Sequence, residues 1–216
     1  MPAEYGGAGA DALTAVGVLE KFGHACRDNG LTFSLNAHLW TACMPLVEFG
    51  TDTQKQKFLP GLSRGDLIGG NAMSEPGSGS DAFSLRTTAE KRDGRYVLNG
   101  DKTWVTNAPV ADVLVVYATI DPDKGAGGVT AFLVEKGTPG FTVGGKLDKM
   151  GLRTSPMAEV FFDNCEIPEE NLLGKEGSGS QLFTRSMTWE RSCILASAVG
   201  SMQRLLETCV KHARER

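Results

Sequence analysis

A single glutamate interrupts an otherwise apolar stripe near the C-terminal end of the chain. The stripe repeats at spacings of three and four residues, the period of one helix face. Its members are Phe183, Met187, Glu190, Ile194, Ala198 and Met202. Such a carboxylate either reaches solvent, where Arg191 is an available partner, or faces a buried cavity. Burial would raise the pKa of Glu190 toward neutrality, which suits a general base that removes a weakly acidic C–H proton. The spacing alone favours neither interpretation.

A second feature is the loop NAMSEPGSGSD (residues 71–81), which is rich in hydroxyls and small residues and has no lysine, histidine or cysteine. Gly77, Gly79 and Ala82 fit the pattern G-x-G-x-x-A, which binds dinucleotide phosphates when it opens a helix in a βαβ unit. The following residues, 83–98, have the pattern of a strand and a hairpin instead. We therefore reject the dinucleotide interpretation.

The elements that must position these residues begin with helices. Apolar residues recur at helical spacing after Asp11, a residue type that caps helices. A second apolar segment runs to Phe49 and stops at Gly50, and Thr51 or Asp52 can cap a further helix.

The middle of the chain has the pattern of a sheet. Short β-branched segments start at Leu67, and the pairs Asp93-Gly94 and Asn99-Gly100 predict two-residue hairpin turns. Repeated short strands with turn signals favour an antiparallel barrel or sandwich. Beyond Gly179 the pattern becomes helical again, and we predict one long helix as far as Arg216.

Composition excludes several classes of protein. A net charge of −4 over 216 residues argues against a nucleic-acid-binding surface. No apolar run is long enough to span a membrane, and no signal or transit peptide is visible. Five scattered cysteines indicate reduced thiols, and three distant histidines predict no metal site. We therefore expect a cytoplasmic protein, or a matrix protein if the source has mitochondria.

Four motifs, in order, resemble the acyl-CoA dehydrogenases. PAEYGGAGAD resembles the family segment P-E-E-Y-G-G-x-G, and NAMSEPGSGSD resembles its loop T-E-P-G-A-G-S-D. LNGDKTWVTN resembles its strand G-x-K-x-W/F-I-T-N, and KMGLRTSPMAEVFFDNCEIPEENLLG resembles its G-x-R loop, strand and V-P-x-x-N-L-L-G turn. The resemblance covers the whole chain, although the chains of that family are considerably longer.

The resemblance implies an α+β fold with N-terminal helices, a central antiparallel β-barrel or sandwich, and the start of a C-terminal helical bundle. Residues 1–66 would form a partial N-terminal helical domain, and residues 67–174 a flavin-binding β-barrel domain. Residues 175–216 would form the first long helix of a truncated C-terminal domain.

The resemblance also implies FAD as the cofactor, which explains why the loop lacks a titrating catalyst. The residues that it places at the flavin are Met73, Ser74, Ser80, Trp104, Val105, Thr106 and Arg216. Strand alternation sends Trp104 and Thr106 to one face and Val105 to the other. By resemblance, Trp104 covers the flavin ring, Thr106 bonds near its N5, and Arg216 meets the FAD diphosphate of a neighbouring subunit.

For the reaction, the resemblance implies α,β-desaturation of an acyl thioester. Glu190-Arg191 matches the glutamate-arginine pair that isovaleryl-CoA dehydrogenase-like members carry on this helix, so Glu190 would be the base. Ser80, Thr188 and Arg191 would contact the substrate. The family often has an aspartate where this chain has Thr188, which leaves open a carrier-protein-bound acyl group in place of acyl-CoA.

The implied partners are an electron-transfer flavoprotein and further copies of the chain, in a homodimer or homotetramer. Two alternatives stay open. One is an oxidase or monooxygenase on the same scaffold. The other is an inactive fragment that serves only as an interaction module.

Overall fold

The structure is a computed structural model that describes residues 1–216, and its first third is helical. Its elements are a 3₁₀ turn Ala3–Tyr5, helices α1 Ala12–Ala25 and α2 Asn29–Ala37, a π-helical segment His38–Cys43, and helices α3 Met44–Phe49 and α4 Asp52–Arg64. The predicted caps are confirmed. Asp11 accepts a hydrogen bond from the Thr14 N–H (2.8 Å), and Thr51 forms a reciprocal capping box with Gln54.

A single mixed sheet forms the middle of the molecule. Its strands are β1 Gly69–Ala72, β2 Thr88–Arg92, β3 Arg95–Thr106, β4 Val113–Thr119, β5 Val129–Glu135, β6 Phe141–Val143, β7 Met157–Pro168 and β8 Leu172–Leu173. The hydrogen-bonded order is β6-β7-β3-β2-β4-β5-β8, and β1 pairs with β4. Most pairings are antiparallel, but β4 pairs in parallel with β1 and with β2, which the sequence did not indicate.

One of the two predicted hairpin turns is wrong. Asp93-Gly94 does form the turn between β2 and β3, with positive φ at both residues. Asn99-Gly100 lies inside β3, where the pairing with β7 shifts register. Gly100 has φ +138° and sits so close to Thr87 that a Cβ there would lie 2.7 Å from the Thr87 Cα. Gly100 is needed for the bulge in β3 and for the close approach of Thr87, and it does not form a turn.

The C-terminal segment is two helices and not the single helix that we predicted. Helix α5 spans Gly179–Cys193 and α6 spans Ala196–Arg214, with a turn at Ile194 and Leu195 between them. Both turn residues keep near-helical φ and ψ, so the apolar stripe continues across the break and the sequence gives no sign of it. None of the helices has the length and apolar character needed to cross a membrane.

Strand β4 is buried on both faces and separates two apolar cores. Leu114, Val116 and Ala118 face the core between β4 and the β3–β7 part of the sheet. Val113, Val115 and Tyr117 face the core that the helices cover. The predicted α+β class, with helices, then sheet, then helices, is confirmed.

Candidate functional site

A cavity of about 290 Å³ lies between the sheet, the N-terminal helices and α5. The sheet and the loop after β1 contribute Asn71, Met73, Ser74, Thr103, Trp104 and Thr106. The helices and the turn after α5 contribute Phe33, Ala37, Thr41, Phe183, Met187, Glu190 and Ile194. The structure therefore brings together five of the predicted site residues: Met73, Ser74, Trp104, Thr106 and Glu190.

Glu190 is half-buried in this cavity and forms no ion pair with Arg191, which is exposed. Of the two interpretations that the spacing left open, the structure shows the one in which the carboxylate faces a cavity. Burial raises the pKa of Glu190, against the opposing effects of the Ser186 hydrogen bond and the Arg191 charge. The Ser186 hydroxyl donates to Glu190 Oε1 at 2.9 Å and fixes the direction of the carboxylate.

Helix α5 is anchored to the N-terminal helices beside Glu190. The indoles of Trp189 and Trp40 stack with ring centroids 5.7 Å apart. The Trp189 indole N–H and the Arg185 guanidinium both donate to the Glu48 carboxylate, at 2.8 and 3.0 Å. Stacking combined with charge-assisted hydrogen bonds holds the helix, and hence Glu190, against the cavity.

The loop that contains Met73 and Ser74 is fixed from the sheet. The Ser74 carbonyl accepts a hydrogen bond from the Thr103 N–H at 2.9 Å, and Glu75 and Ser78 exchange two backbone hydrogen bonds. The Ser74 N–H has no backbone acceptor. Met73 is buried and Ser74 is half-buried, so the loop presents its backbone closely to the cavity.

A buried ion pair lies beneath this loop, and sequence reasoning missed it. The Lys102 ammonium donates to Glu75 Oε1 at 2.8 Å and to the Met73 carbonyl at 3.0 Å, and both charged side chains are almost wholly buried. Glu75 also accepts hydrogen bonds from the Arg86 and Thr87 N–H groups, at 2.6 and 3.0 Å. The sequence carried no clear signal, because Lys102 lies in the polar stretch from Asn99 to Thr103.

Trp104 and Thr106 do line the same cavity, but simple alternation is not the reason. The pairing of β3 with β7 shifts register between Lys102 and Val105, and Trp104 has a left-handed φ of +58°. This bulge turns the indole outward, and 64% of Trp104 is exposed. The Val105 side chain is buried in the apolar core and does not line the cavity, so a contact between Val105 and a ligand there would have to come from its backbone.

The N-terminal helices supply cavity residues that sequence reasoning did not identify. Phe33 and Ala37 of α2 and Thr41 of the π-helical segment line it. The Asn71 amide donates to the Thr41 carbonyl at 3.2 Å and ties the sheet to these helices. A π-helical segment is uncommon and is often found at functional sites. Its wider turn leaves no clear trace in an apolar run such as residues 38–43.

A second cavity, of about 540 Å³, brings the predicted substrate-binding residues Ser80, Thr188 and Arg191 together. All three are exposed. Phe183 and Met187 line both cavities, so the two are adjacent. Arg216 is exposed beyond the end of α6 and lines neither of them.

Two family profiles match the chain. The profile described as acyl-CoA dehydrogenase, N-terminal domain, matches residues 1–66, and the one described as acyl-CoA dehydrogenase, middle domain, matches residues 70–165. Together they account for most of the chain.

Relatives align with the whole chain. It is 46% identical to an L-prolyl-(peptidyl-carrier protein) dehydrogenase of Pseudomonas fluorescens, of which it covers 57%. It is 44% identical to an acyl-CoA dehydrogenase of Bacillus subtilis and to a mitochondrial isovaleryl-CoA dehydrogenase of Oryza sativa, of which it covers 56% and 52%. The chain thus spans little more than half the length of these relatives.

Solved structures give the same result. The prolyl acyl carrier protein oxidase AnaB superposes on the whole chain with a TM-score of 0.98 and 49% identity, over 57% of its own length. A structure described as the FAD complex of PigA covers 99% of the chain with a TM-score of 0.96 and 44% identity, over 56% of its own length. One of an electron transferring flavoprotein of Acidaminococcus fermentans covers the whole chain with a TM-score of 0.95 and 40% identity, over 56% of its own length. The chain therefore belongs to the acyl-CoA dehydrogenase family.

Proposed function

We propose that the chain forms the flavin and acyl sites of an FAD-dependent enzyme that desaturates an acyl thioester between its α and β carbons. The observation that carries this proposal is the cavity in which Glu190 of α5 lies across from Trp104, Thr106 and Ser74 of the sheet side. A carboxylate that can act as a base and a surface suited to a flat ring thus line the same cavity. When bound, FAD supplies the acceptor for a hydride.

The residues on the sheet side fit a flavin. The exposed Trp104 indole is a flat apolar surface beside the cavity, and aromatic rings pack well on such surfaces. The Ser74 N–H lacks a backbone acceptor, and the hydroxyls of Ser74 and Thr106 are further donors at the cavity wall. We propose that these groups, with the Met73 backbone, hold the polar edge of the ring. Arg216 stays a predicted contact to the FAD diphosphate of another subunit.

Glu190 is the proposed base for the α proton. Its raised pKa makes the carboxylate a stronger base than an exposed glutamate, and the Ser186 hydroxyl keeps it oriented. The apolar side chains of Phe183, Met187 and Ile194 line the same cavity, and a bound substrate would exclude water between them and Glu190. A dry site strengthens the electrostatic interactions that acidify the α carbon.

Replacing Glu190 with glutamine tests this role. Glu190→Gln keeps the shape and the Ser186 contact but removes the base, so we expect kcat to fall by about 10² to 10⁴. FAD absorbance and affinity should not change. Glu207→Gln on α6, an exposed carboxylate outside the cavity, is the matched control and should retain full activity. Desaturation at the normal rate in Glu190→Gln would show that another group is the base.

The thioester's carrier is proposed to bind in the second cavity. Arg191 offers a positive charge there for a phosphate, and Ser80 and Thr188 offer hydroxyls. CoA and the phosphopantetheine arm of a carrier protein share this chemistry. The neutral Thr188 and the identity to a prolyl carrier-protein dehydrogenase favour a carrier-bound acyl group as the second candidate substrate.

Matched thioesters separate the two candidates. The same acyl group would be presented on CoA and on a carrier protein, and kcat/KM compared for each. A preference for the carrier protein that is unaffected by Thr188→Asp would show that contacts outside this cavity select the carrier.

The acceptor of the electrons is proposed to be an electron-transfer flavoprotein, with the chain in a homodimer or homotetramer. A related structure is described as an oxidase, so oxygen is the competing acceptor. Turnover measured with an electron-transfer flavoprotein under anaerobic conditions, and with oxygen alone, distinguishes these two acceptors.

We also propose that the chain divides into three structural units, residues 1–66, 67–174 and 175–216.

A further inference from the structure

The Met73–Ser74 peptide lies between a buried cation and the candidate flavin cavity. On one side its carbonyl accepts a hydrogen bond from the Lys102 ammonium at 3.0 Å. On the other side Ser74 lines the cavity, and its N–H has no backbone acceptor. No peptide bond in the chain is cis, and in a trans peptide the C=O and N–H point in opposite directions. The N–H therefore points away from Lys102.

We infer that Lys102 acts through the Met73–Ser74 peptide, making the Ser74 N–H a stronger donor that favours negative charge on a ligand in the cavity. A hydrogen bond from a cation to a carbonyl polarises the amide, and the polarisation strengthens the donor at its other end. The effect is large where water is excluded, and Lys102 is fully buried. This inference rests on the proposed function in one respect: it takes the ligand in the cavity to be the flavin.

The energetics of the ion pair support a role beyond stability. A buried pair often contributes no more to stability than apolar residues of the same volume, because both charges lose their hydration. Burial lowers the pKa of Lys102 to about 8, although the charges of Glu75 and Asp101 oppose this shift. Burial also opposes ionisation of Glu75. The Lys102 charge and the hydrogen bonds that Glu75 accepts outweigh this effect, so the pKa of Glu75 is lowered. Both groups are therefore charged at neutral pH.

The double variant Lys102→Met/Glu75→Gln is the decisive test in the full-length enzyme. It removes the ammonium from the Met73 carbonyl without leaving a lone buried carboxylate and without changing the net charge. We expect the affinity for reduced FAD relative to oxidised FAD to fall about tenfold, which lowers the two-electron midpoint potential by ~30 mV. A purely structural role would weaken both affinities equally and leave the potential unchanged.

The matched control is the exposed pair Lys91 and Glu169, whose charged atoms lie 2.6 Å apart. Lys91→Met/Glu169→Gln deletes one pair of charges at residues that do not line the cavity, and it should leave the potential unchanged. An equal fall in both double variants, or no fall in the Lys102 variant, overturns the inference.

A measurement on the wild type keeps the inference testable if the double variant does not fold. Met73-Ser74 is the one Met-Ser pair in these 216 residues, so carbonyl-¹³C methionine with ¹⁵N serine labels no other peptide bond among them. We expect its amide proton to move downfield when FAD binds and further when the flavin is reduced. No shift on binding, or a wild type that binds no FAD, overturns the inference. If the wild type binds FAD but desaturates no thioester, the proposed function is wrong, but the amide-proton shifts on FAD binding and flavin reduction still test this inference.

Discussion

Tyr117 has a fully buried hydroxyl that forms no hydrogen bond of good geometry, although the Asn71 side chain lies close to it. Its ring packs edge-on against Phe183, with ring centroids 5.5 Å apart, in the core below the cavity. A buried unsatisfied polar group costs about 1–3 kcal/mol. We therefore expect Tyr117→Phe to raise the free energy of unfolding by about 1 kcal/mol, measured by urea denaturation.

The control for this prediction is the other large buried tyrosine. The Tyr96 hydroxyl donates to the Glu176 carboxylate, so Tyr96→Phe removes a satisfied hydrogen bond and should lower stability. A loss of stability in Tyr117→Phe as well would mean that the Tyr117 hydroxyl has a partner in solution.

How far single residues could be predicted depends on whether their signal is local. Glu190 was identifiable because the spacing of three and four residues places it as the one polar residue on an otherwise apolar helix face. The Lys102 pair did not stand out because Glu75 is 27 residues away and meets it only when the loop folds over β3. The resemblance grouped Trp104 with Thr106 and Glu190, and all three line one cavity, whereas strand alternation could not predict the bulge that turns the Trp104 indole outward.

Helices α1 and α6 pack closely because each has a glycine at their contact. A Cβ on Gly200 would lie 1.9 Å from the Glu20 carbonyl oxygen, and one on Gly23 would lie 2.0 Å from that of Ser197. Neither backbone can move without separating the helices. Gly200→Ala should therefore lower the free energy of unfolding by about 1–3 kcal/mol. Gly17→Ala on α1, where nothing lies within 4 Å, should raise it by up to about 1 kcal/mol.

His38 joins the π-helical segment to β1 and α4 and makes stability depend on pH. Its Nδ1 accepts a hydrogen bond from the Gly69 N–H at 2.9 Å, so Nε2 carries the proton and donates to the Leu62 carbonyl at 3.1 Å. Burial lowers the pKa of His38 below 6.5, and the Leu62 hydrogen bond offsets only part of this. The unfolded chain then binds a proton at a higher pH than the folded chain does.

Stability should consequently be lost as the pH falls below about 6.5, where the unfolded state gains its proton first. Urea denaturation between pH 7.5 and 5 measures the slope. His38→Gln should flatten it at the cost of some stability, whereas His212→Gln, on the exposed face of α6, should not. An unchanged slope in His38→Gln would assign the pH dependence to other groups.

Elements were predictable where one local rule determined them. Asp11 and Thr51 begin helices because their side chains satisfy the first N–H groups, which needs no tertiary contact. Asn99-Gly100 follows the same local rule for a turn, but pairing along β3 and the close approach of Thr87 override it. The break at Ile194 and Leu195 was unpredictable because no glycine or proline marks it.

The molecule as a whole explains why the candidate site requires all three parts of the chain. The sheet side supplies the donors and the indole, the N-terminal helices close one wall, and α5 brings the carboxylate. In sequence, the sheet-side residues start 30 positions after Thr41, and Phe183 follows Thr106 by 77 positions. Their order was predictable from composition, but the π-helical wall and the ion pair beneath the loop arise only from packing.

An apolar stripe that begins at Leu195, in the turn before α6, and continues along α6 remains exposed. Its members, spaced by three or four residues, are Leu195, Val199, Met202, Leu206 and Val210. An exposed apolar stripe of this length is unusual on a monomer and promotes association. We expect the 216-residue chain to self-associate as its concentration rises, measured by sedimentation velocity.

Charged residues on the stripe should suppress this association. Met202→Lys combined with Leu206→Glu adds no net charge and breaks the stripe at its centre, so the sedimentation coefficient should become independent of concentration. Leu13→Lys on α1 changes an apolar residue outside the stripe that is even more exposed, and it should leave association unchanged. If the Leu13 variant alone dissolves the assembly, α1 and not α6 forms the contact. The apolar stripe on α6 would then stay exposed in the assembly, and the prediction that its burial drives association would be wrong.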